Sequence, residues 1–472
     1  MTSPERELTA LDLGLLAPGR AGSRVEVETG DGAYLQRLLD AEAALARAQA
    51  GIGVVPERAA DAITSAALAE NFDLRQIALD AREGGNPVIS LVAALRAALP
   101  EDLAAFVHRG ATSQDIFDTA TMLVADDARI VILADLDRVA TALATLASRH
   151  RTTPMVARTL TQHAVPTTFG LKVAGWRSLV LDARDSLAAL ALPVQLGGAA
   201  GTLAALQPTD NPDNPANPAT VFDLIEGFAA ETGLDVPTLP WHVLRTPIAE
   251  LGGALALTAG ALGKFAADVL LLGRQEIAEI RQDGGGAGGS SAMPHKANPV
   301  NATLIAATAL QLPALVSVLY GAMAAEDERP AGAWHAEWQN LRQALRLVGT
   351  AAELAAELAE GLDARPEKMA ENLALTHGLV VSERLVSALE PLLGRAEARK
   401  VLTSASHAAV ADGLSLAKAL AEEPDIRTLI DADRLSTDRL AELLDPAGYL
   451  GAAPELVDRA LQREPLSPRK AN

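Results

Sequence analysis

The stretch GGGAGGSSAMPHKANP, Gly284 to Pro299, interrupts a chain that otherwise consists of long Ala/Leu-rich helical patterns. Glycine loses more backbone entropy on ordering than any other residue, so the glycine-rich part predicts a mobile lid. Lys296 and Asn298 follow it, just before Pro299 and a predicted helix, where a cation and free backbone amides can meet an anion. A linker would not need this polar tail, and the G-x-x-x-x-G-K-[ST] spacing of a P-loop is absent. We therefore expect a lid that closes over an anionic ligand.

The composition of the chain favours a soluble globular protein with an aliphatic core. Its 472 residues are 49% hydrophobic, which suits a large core in about two or three domains. Aromatic residues make up only 3%, which argues against stacking platforms for bases or sugars. The absence of cysteine excludes disulfides, thiolate nucleophiles and cysteine metal sites. A formal charge of -20 opposes nucleic acids and anionic membranes, so neither is expected as a partner.

Two segments bear on the location of the protein. The N-terminal residues 1–16 carry acidic side chains where a signal peptide would need a basic region, so we expect a cytoplasmic protein. The residues between Lys296 and Glu326 are uncharged, over a length that could span a membrane. Pro299 and Pro313 interrupt this run, and an all-apolar helix also suits the core of a large bundle. We expect a buried bundle helix here and no membrane association.

Apolar periodicity predicts helices along almost the whole chain, without a convincing run of alternating strand residues. A rise of about 1.5 Å per residue gives the longest of them lengths of roughly 40–55 Å. The expected fold is all-α, with a long central helical bundle flanked by smaller helical domains. Its domains would be residues 1–113, 114–361 and 362–472, the last with a disordered tail. The predicted helices cover roughly residues 32–50, 57–70, 87–99, 114–150, 166–191, 245–282, 297–322 and 335–361, followed by shorter ones from about 364 to 443.

One predicted bundle helix is more apolar than packing within a single chain requires. Ile248 to Leu272 is apolar over more than the stripe that one neighbouring helix would cover. Its many small residues would allow helices to approach closely. We therefore expect an oligomer with a bundle shared between chains, for which a symmetric tetramer is a common solution.

A polar cluster precedes the longest predicted helix, in the segment HRGATSQDIFDTA that begins at His108. Thr112, Ser113 and Asp115 suit the N-cap and first turn of a helix that begins near Gln114, because their oxygens satisfy unpaired amides. Capping alone would explain them. The same turn also offers two hydroxyls and free N–H groups to a carboxylate, so both interpretations stay open.

A further polar cluster lies in the segment RTLTQHAVPTTFG, Arg158 to Gly170. It places Thr161, Gln162 and His163 ahead of Pro166, which we expect to open the next helix as an N1 proline. A lone histidine is more often a structural residue than a ligand. Here the histidine lies next to threonine, glutamine and arginine residues ahead of a predicted helix, and this combination favours a binding site.

These residues carry a resemblance to a known superfamily. Gly289 to Pro299 resembles the signature Gly-Ser-Ser-x-Met-Pro-x-Lys-x-Asn-Pro of the fumarase/aspartase superfamily, with every fixed position present. The two polar clusters resemble its other active-site segments, in the branch shared by adenylosuccinate lyase and 3-carboxy-cis,cis-muconate cycloisomerase. The resemblance implies a mainly helical protein of three domains. It also implies a homotetramer in which each active site is assembled from three subunits.

Within that branch the chain is more similar to the cycloisomerase family over about residues 30 to 360. It departs from the family pattern at Arg109, where an aromatic is commoner, at Ala297, where arginine is common, and at Thr246, where aspartate is commoner. The stretches that carry the similarity include LLDAEAALARAQAGIGVVP from Leu38, GGNPVISLVAALR from Gly84, QLGGAAGTLAAL from Gln195, LPWHVLR from Leu239 and ERPAGAWHAEW from Glu328.

The resemblance also implies roles for individual residues. Ser290 would be the general base, or the general acid in the reverse direction, with Ser291 as the alternative. His163 would be a hydrogen-bonding or cationic partner. No cofactor and no metal would be needed. The remaining candidates would bind a polycarboxylate substrate: Lys296, Asn298, Thr112, Ser113, Thr161, Gln162, His108, Arg158 and Arg245.

The activity implied is that of 3-carboxy-cis,cis-muconate cycloisomerase, in the protocatechuate branch of the β-ketoadipate pathway. One substrate carboxylate would attack a conjugated double bond to form 4-carboxymuconolactone, while Ser290 delivers a proton to the carbon next to a carboxylate. Two alternatives stay open. One is an adenylosuccinate-lyase type of elimination that releases fumarate, and the other is a non-catalytic structural tetramer.

Overall fold

The computed structural model describes residues 13–206, 218–282, 293, 296–467 and 469. In this part of the chain the fold is mainly helical, as expected, with four short strands. The first helices contribute aliphatic side chains to the core of the bundle and carry the chain to the polar cluster at residue 108. They are α1 (Arg24–Glu28), α2 (Asp31–Gly51), α3 (Glu57–Ala66), α4 (Leu74–Gly84), α5 (Val88–Ala97) and α6 (Glu101–Ala104).

Five long helices form the central bundle, close to the positions that periodicity predicts. Among them the first packs against the second and the fifth, and the third packs against the fourth and fifth. A shorter helix, α9 (Pro218–Thr232), packs on α2 and was not predicted. The bundle helices are α7 (Ser113–Arg149), α8 (Phe169–Ala188), α10 (Thr246–Leu272), α11 (Val300–Gly321) and α12 (Ala333–Glu360).

The prediction that no strands are present is wrong at the β-hairpin between α7 and α8. Strand β1 (Pro154–Thr159) pairs antiparallel with β2 (Gln162–Thr168) through a two-residue turn. Pro166 lies within β2 and does not open a helix; α8 begins three residues later, where the Thr168 hydroxyl accepts from the Leu171 N–H at 3.1 Å. The β-branched residues of this segment form a ladder instead of a helical turn.

A second correction concerns the helix predicted over residues 245–282. It ends at Leu272, and the chain then turns into strand β3 (Ile280–Gln282). This strand pairs antiparallel with β4 (Leu362–Ala364), which directly follows the last bundle helix. The pairing fixes the chain ahead of the glycine-rich segment to the end of the bundle.

The C-terminal helices have a hydrophobic core separate from that of the bundle. The bundle and the N-terminal helices share one core, whereas Leu385, Leu402 and Leu420 belong to another with its own buried leucines and valines. The C-terminal helices are α13 (Pro366–Ala374), α14 (Ser382–Leu393), α15 (Arg395–Asp412), α16 (Leu416–Glu422), α17 (Pro424–Asp431), α18 (Thr437–Leu444) and α19 (Ala453–Leu461).

Two bundle helices, α10 and α11, are long and apolar enough to cross a membrane by length and composition alone. The core helices of soluble proteins pass the same test. The most apolar window of α10 is 50% buried within the chain, but that of α11 is only 33% buried. Leu310 on α11 is 83% exposed. The chain on its own therefore leaves an apolar face of the bundle uncovered.

A buried ion network joins three bundle helices. Arg245, the residue before α10, is 2% exposed. Its guanidinium donates to Asp118 of α7 at 2.7 Å and to Glu337 of α12 at 2.5 Å and 3.0 Å. Trp334 also donates to Asp118 at 3.0 Å. Burial alone would lower the pKa of Arg245, but the two carboxylates outweigh it and raise the pKa, so Arg245 stays cationic.

Removing the cation of this network should destabilise the fold. Arg245→Met leaves Asp118 and Glu337 buried without a counter-charge, so the free energy of unfolding should fall by roughly 3–5 kcal/mol. Arg439→Met is the matched control, since Arg439 pairs with Glu442 at the surface and is 52% exposed. The control should cost no more than about 1 kcal/mol. Urea unfolding of both variants at one protein concentration makes the comparison, and equal losses would contradict the structural role.

Candidate functional site

The start of α7 is held by a buried carboxylate. Asp115 is fully buried and accepts from the backbone N–H groups of Thr112, Gly197 and Gly198 at 2.8–2.9 Å. His242 lies 2.7 Å from the same carboxylate through Nε2. The predicted capping by Thr112 and Asp115 is confirmed as a capping box. Asp115 therefore fixes the loop at residues 197–198 against the turn that presents Thr112 and Ser113, which are both partly exposed.

His108 occupies the same end of the bundle in an unusual backbone conformation, with φ of 59°. Its Nδ1 lies 2.6 Å from a carboxylate oxygen of Glu42, which is 1% exposed. Burial lowers the pKa of His108, but the hydrogen bond and the charge of Glu42 outweigh it and raise the pKa above its ordinary value. The raised pKa favours the cationic form of His108, four residues before Thr112 in sequence, and that form would suit an anion.

The predicted cluster at Arg158 to His163 lies on the β-hairpin. Leu160 and Thr161 form its turn and both have positive φ, at 47° and 71°. Two-residue hairpin turns of this kind normally use glycine, asparagine or aspartate, so the backbone here is strained. Leu160 is 95% exposed, and Thr161 and Gln162 are exposed beside it. The hairpin tip therefore extends away from its own chain.

Arg158 does not extend toward the tip. Its guanidinium makes two hydrogen bonds to the fully buried Glu279, at 2.7 Å and 2.9 Å. Asn372 donates to the same carboxylate at 3.0 Å. The expectation that Arg158 clamps a substrate carboxylate therefore needs correction, because Glu279 already takes its paired donors. Arg158 thereby ties strand β1 of the hairpin to Glu279, the residue before β3.

His163 sits opposite Arg158 in the hairpin and is partly exposed. Burial, followed by the positive charge of Arg158, lowers the pKa of His163 below its ordinary value of 6.5. The imidazole is therefore neutral at neutral pH. It can donate or accept a hydrogen bond, but the environment disfavours the cationic role.

Lys296 and Asn298 line a cavity of about 690 Å³ at the far end of α10. The cavity is bounded by α10, β3 and the start of α11, and Arg274, Arg281 and Arg365 also line it. Among the described residues that line it there are four cations and no carboxylate, which suits an anionic ligand. Ser290 and Ser291, together with the predicted lid, lie outside the described residues.

Arg245 is the second predicted substrate arginine that needs correction. All its donor nitrogens face Asp118, Glu337 or the Trp241 carbonyl, in the buried network described above. Guanidinium groups bind carboxylates with paired N–H donors, and none of these remains for a ligand. Arg245 stabilises the bundle behind the Thr112 turn.

The three polar clusters do not meet within one chain. Thr112 precedes α7, whereas the hairpin follows its last turn, and 37 residues at about 1.5 Å each separate the two by roughly 55 Å. Even if strand β1 ran back along α7, its six residues would shorten the separation between the hairpin tip and Thr112 by at most about 20 Å. Lys296 also lies at the hairpin end of the bundle, because α10 starts beside Asp118 and runs 27 residues away from it.

Several residues that shape the site escaped sequence reasoning. Glu42, Glu279 and His242 are buried partners of His108, Arg158 and Asp115 respectively. His242 lies in the stretch LPWHVLR, whose similarity to the cycloisomerase family was a usable signal. No sequence signal pointed to Glu279, because it is 121 residues from Arg158 in the chain.

The turn before α7 should tolerate no side chain at Gly110. A Cβ there would lie 2.6 Å from the Ala205 carbonyl oxygen, and its φ is 74°. Gly53 has φ of 76° but open space around it, so Gly53→Ala meets only the left-handed strain of about 1–2 kcal/mol. Gly110→Ala should cost about 1–3 kcal/mol more, from the backbone clash. Urea unfolding compares the two variants; a Gly110→Ala variant as stable as Gly53→Ala would contradict the packing.

Comparisons with known proteins agree with this architecture. A family model described as "Lyase" matches residues 22–313, and one described as "Adenylosuccinate lyase C-terminus" matches residues 378–460. The nitrosuccinate lyase of Streptomyces davaonensis is 56% identical, over 96% of each chain. The 3-carboxy-cis,cis-muconate cycloisomerase of Pseudomonas aeruginosa is 42% identical, over 91% of this chain and 92% of the relative.

The structure likewise resembles solved structures of that group. The crystal structure of the 3-carboxy-cis,cis-muconate lactonizing enzyme from Pseudomonas putida matches with a TM-score of 0.85 at 39% identity, over 93% of this chain and 96% of that one. A fumarate lyase from Mesorhizobium matches with a TM-score of 0.82 at 34% identity, over 93% and 98%. The chain therefore belongs to the lyase family of the fumarase/aspartase superfamily and is an enzyme of the lyase or cycloisomerase type.

Proposed function

We propose that the chain is a lyase that eliminates nitrite from nitrosuccinate. The observation that carries this is the 56% identity to a nitrosuccinate lyase along nearly the whole of both chains, against 42% for the cycloisomerase of Pseudomonas aeruginosa. This proposal replaces cycloisomerisation as the first choice of substrate. It keeps the chemistry that the sequence predicts, because both reactions move a proton at a carbon next to a carboxylate.

The elimination breaks a C–H and a C–N bond and forms a carbon–carbon π bond and a bond between the base and the proton. A base removes a proton from the carbon that bears no nitro group, and that C–H electron pair forms the new carbon–carbon double bond. The C–N bond breaks at the same time or afterwards, and its pair leaves with the nitro group as nitrite. The products are the unsaturated dicarboxylate, nitrite and the proton now held by the base, so atoms and charge balance without a cofactor or a metal.

Ser290 is the proposed base, with Ser291 as the alternative. The proton next to a carboxylate is weakly acidic, so the site must stabilise a carboxylate group that gains a second negative charge. Lys296 and Asn298 would do this at one carboxylate, and the Thr112–Ser113 turn with cationic His108 at the other. Thr161 and Gln162 would add hydrogen bonds from the hairpin tip.

The state of His163 fits a weakly basic leaving group. Nitrite, like a carboxylate, leaves without being protonated, so the reaction needs no strong general acid. Burial and Arg158 keep the imidazole neutral, which suits a hydrogen-bond partner of the nitro oxygens. An adenylosuccinate type of elimination expels a nitrogen base and would gain more from an acid at this position.

We further propose a homotetramer whose active sites are shared between subunits. The Thr112 turn lies at the opposite end of the bundle from His163 and Lys296, so a single chain cannot place them on one small substrate. The exposed hairpin tip and the uncovered apolar face of α11 would contact other copies. Association through α11 would also explain its hydropathy without a membrane. The cytoplasm is the proposed location.

Cycloisomerisation of 3-carboxy-cis,cis-muconate is the second candidate. The match in fold to the lactonizing enzyme of Pseudomonas putida supports it. In that reaction the leaving group of the reverse direction is again a carboxylate, so neutral His163 suits it equally. A larger tri-anionic substrate would need further cationic groups, which the cavity around Lys296 contains.

The first test assays purified protein with each substrate. We expect nitrite and fumarate to form together from nitrosuccinate, and the diene absorbance of the muconate to persist. Ser290→Ala should lower nitrite release by about 10²–10⁴-fold, since that is the usual contribution of a general base. Ser404→Ala, an exposed serine on α15, is the matched control and should keep full activity. Loss of diene without nitrite release would establish the second candidate, and silence on both would contradict both substrates and leave only the superfamily.

A second test separates the role of His163 from that of Ser290. His163→Gln keeps a hydrogen-bond donor but cannot transfer a proton, so nitrite release should fall by no more than about 10-fold, below the usual contribution of a general acid. The His163 pKa is lowered whereas that of His108 is raised, so any loss of rate with rising pH should come from deprotonation of His108 and should be the same in His163→Gln as in the wild type. A loss of about 10³-fold in His163→Gln would show that the leaving group does require an acid.

A further inference from the structure

A further cavity lies away from the three predicted clusters. It has a volume of about 230 Å³ and lies between residues 16–20, α11 and α12. Gly19 brings the N-terminal segment close to both helices, since a Cβ there would lie 3.0 Å from a methyl of Thr350 and 3.5 Å from Leu304. We call it the arginine cavity, because Arg20 and Arg346 both line it.

The arginine cavity contains positive charge without matching negative charge. None of its described lining residues is a carboxylate. Arg346 donates through Nε and Nη2 to the hydroxyl and carbonyl oxygens of Thr29, at 3.1 Å and 2.8 Å. Both acceptors are neutral. Within the described part of the chain Arg346 makes no ion pair, although it is only partly exposed.

Two further arginines lie near Arg346, and each has a carboxylate partner of its own. Arg342, one turn earlier on α12, donates to the same Thr29 carbonyl at 2.8 Å and pairs with Asp31, which is 67% exposed. Burial, then the charges of Arg342 and Arg20, lowers the pKa of Arg346 to about 10. Arg20 lies 3.7 Å from Glu26, and its buried Nε has no hydrogen-bond partner among the described residues.

A partly buried cation is costly unless a counter-charge or hydrogen bonds compensate it. We propose that the arginine cavity binds a small oxyanion between Arg20 and Arg346. Each guanidinium would offer N–H donors to the oxygens of one phosphate, sulfate or dicarboxylate ion. Nothing in the proposed elimination uses this site, so it stands independently of the proposed substrate.

The cavity lining also includes apolar side chains, so the two guanidinium groups would carry the recognition of the anion. The other polar lining residues are Gln311, Gln343, Thr308 and Thr350. The volume corresponds to roughly eight water molecules at about 30 Å³ each, which is room for one small anion with part of its hydration. The chain carries a formal charge of -20, so such a cationic cavity would select anions against the field of the protein.

The test is thermal unfolding of the full-length oligomer in phosphate and, separately, in fumarate, each against chloride at equal ionic strength. We expect phosphate, fumarate or both to raise the melting temperature of the wild type by about 2–4 °C, because a ligand of the folded state stabilises it. In Arg346→Gln the rise should disappear. In Lys296→Met it should persist, which separates the arginine cavity from the proposed active site.

Two further variants keep the outcome decisive. Arg346→Lys keeps the charge but loses the paired donors, so it should retain part of the rise. Arg439→Gln, which removes an exposed surface arginine, should retain all of it. The proposal is overturned if neither anion stabilises the wild type, as when a carboxylate of a partner subunit already fills the cavity. It is also overturned if the rise vanishes in Lys296→Met but survives in Arg346→Gln.

Discussion

The buried network of Asp118, Arg245 and Glu337 is the interaction on which the candidate site depends. It joins α7, α10 and α12 where no water can screen the charges. One turn earlier on α7, Asp115 accepts from the loop at residues 197–198 and lies within hydrogen-bonding distance of His242. Asp115 thereby fixes the start of α7 to the loop at residues 197–198, and Asp118 fixes it to Arg245 at the start of α10. Thr112 and Ser113 can present their hydroxyls in a fixed place because the residues behind them are locked.

The length of α7 imposes the second constraint. A straight helix of 37 residues keeps its two ends apart, and the polar clusters lie at opposite ends of it. A rigid rod of this kind cannot bring its own ends together, but antiparallel copies place the end of one beside the start of another. The strained, exposed turn at Leu160–Thr161 and the apolar face of α11 are features that such an arrangement would use. The oligomer would then be a requirement of the chemistry as well as of stability.

Sequence reasoning succeeded where the signal is local. Helical periodicity placed the starts of the bundle helices within a few residues, although it extended α10 ten residues past Leu272, and the capping pattern located Thr112 and Asp115. It failed at the hairpin for two reasons. The turn at Leu160–Thr161 lacks the glycine or asparagine that usually marks a hairpin turn, and Pro166 has the sequence context of an N1 proline although it lies within β2. It also assigned Arg245 to the substrate, since its partner Glu337 lies 92 residues away and no local pattern reveals the pair. Ion pairs between distant helices depend on the tertiary structure, which periodicity does not encode.

The most direct test of the central claim is complementation between two inactive variants. Thr112→Val damages the cluster at the start of α7, and Lys296→Met damages the one at the far end of the bundle. If each active site takes these clusters from different copies, unfolding the two proteins together and refolding them should create some intact sites. Nitrite release from nitrosuccinate should then recover to about a quarter of the wild-type rate for random mixing in a tetramer. A refolded mixture no more active than either variant alone would show that one chain supplies the whole site, and the account would fail.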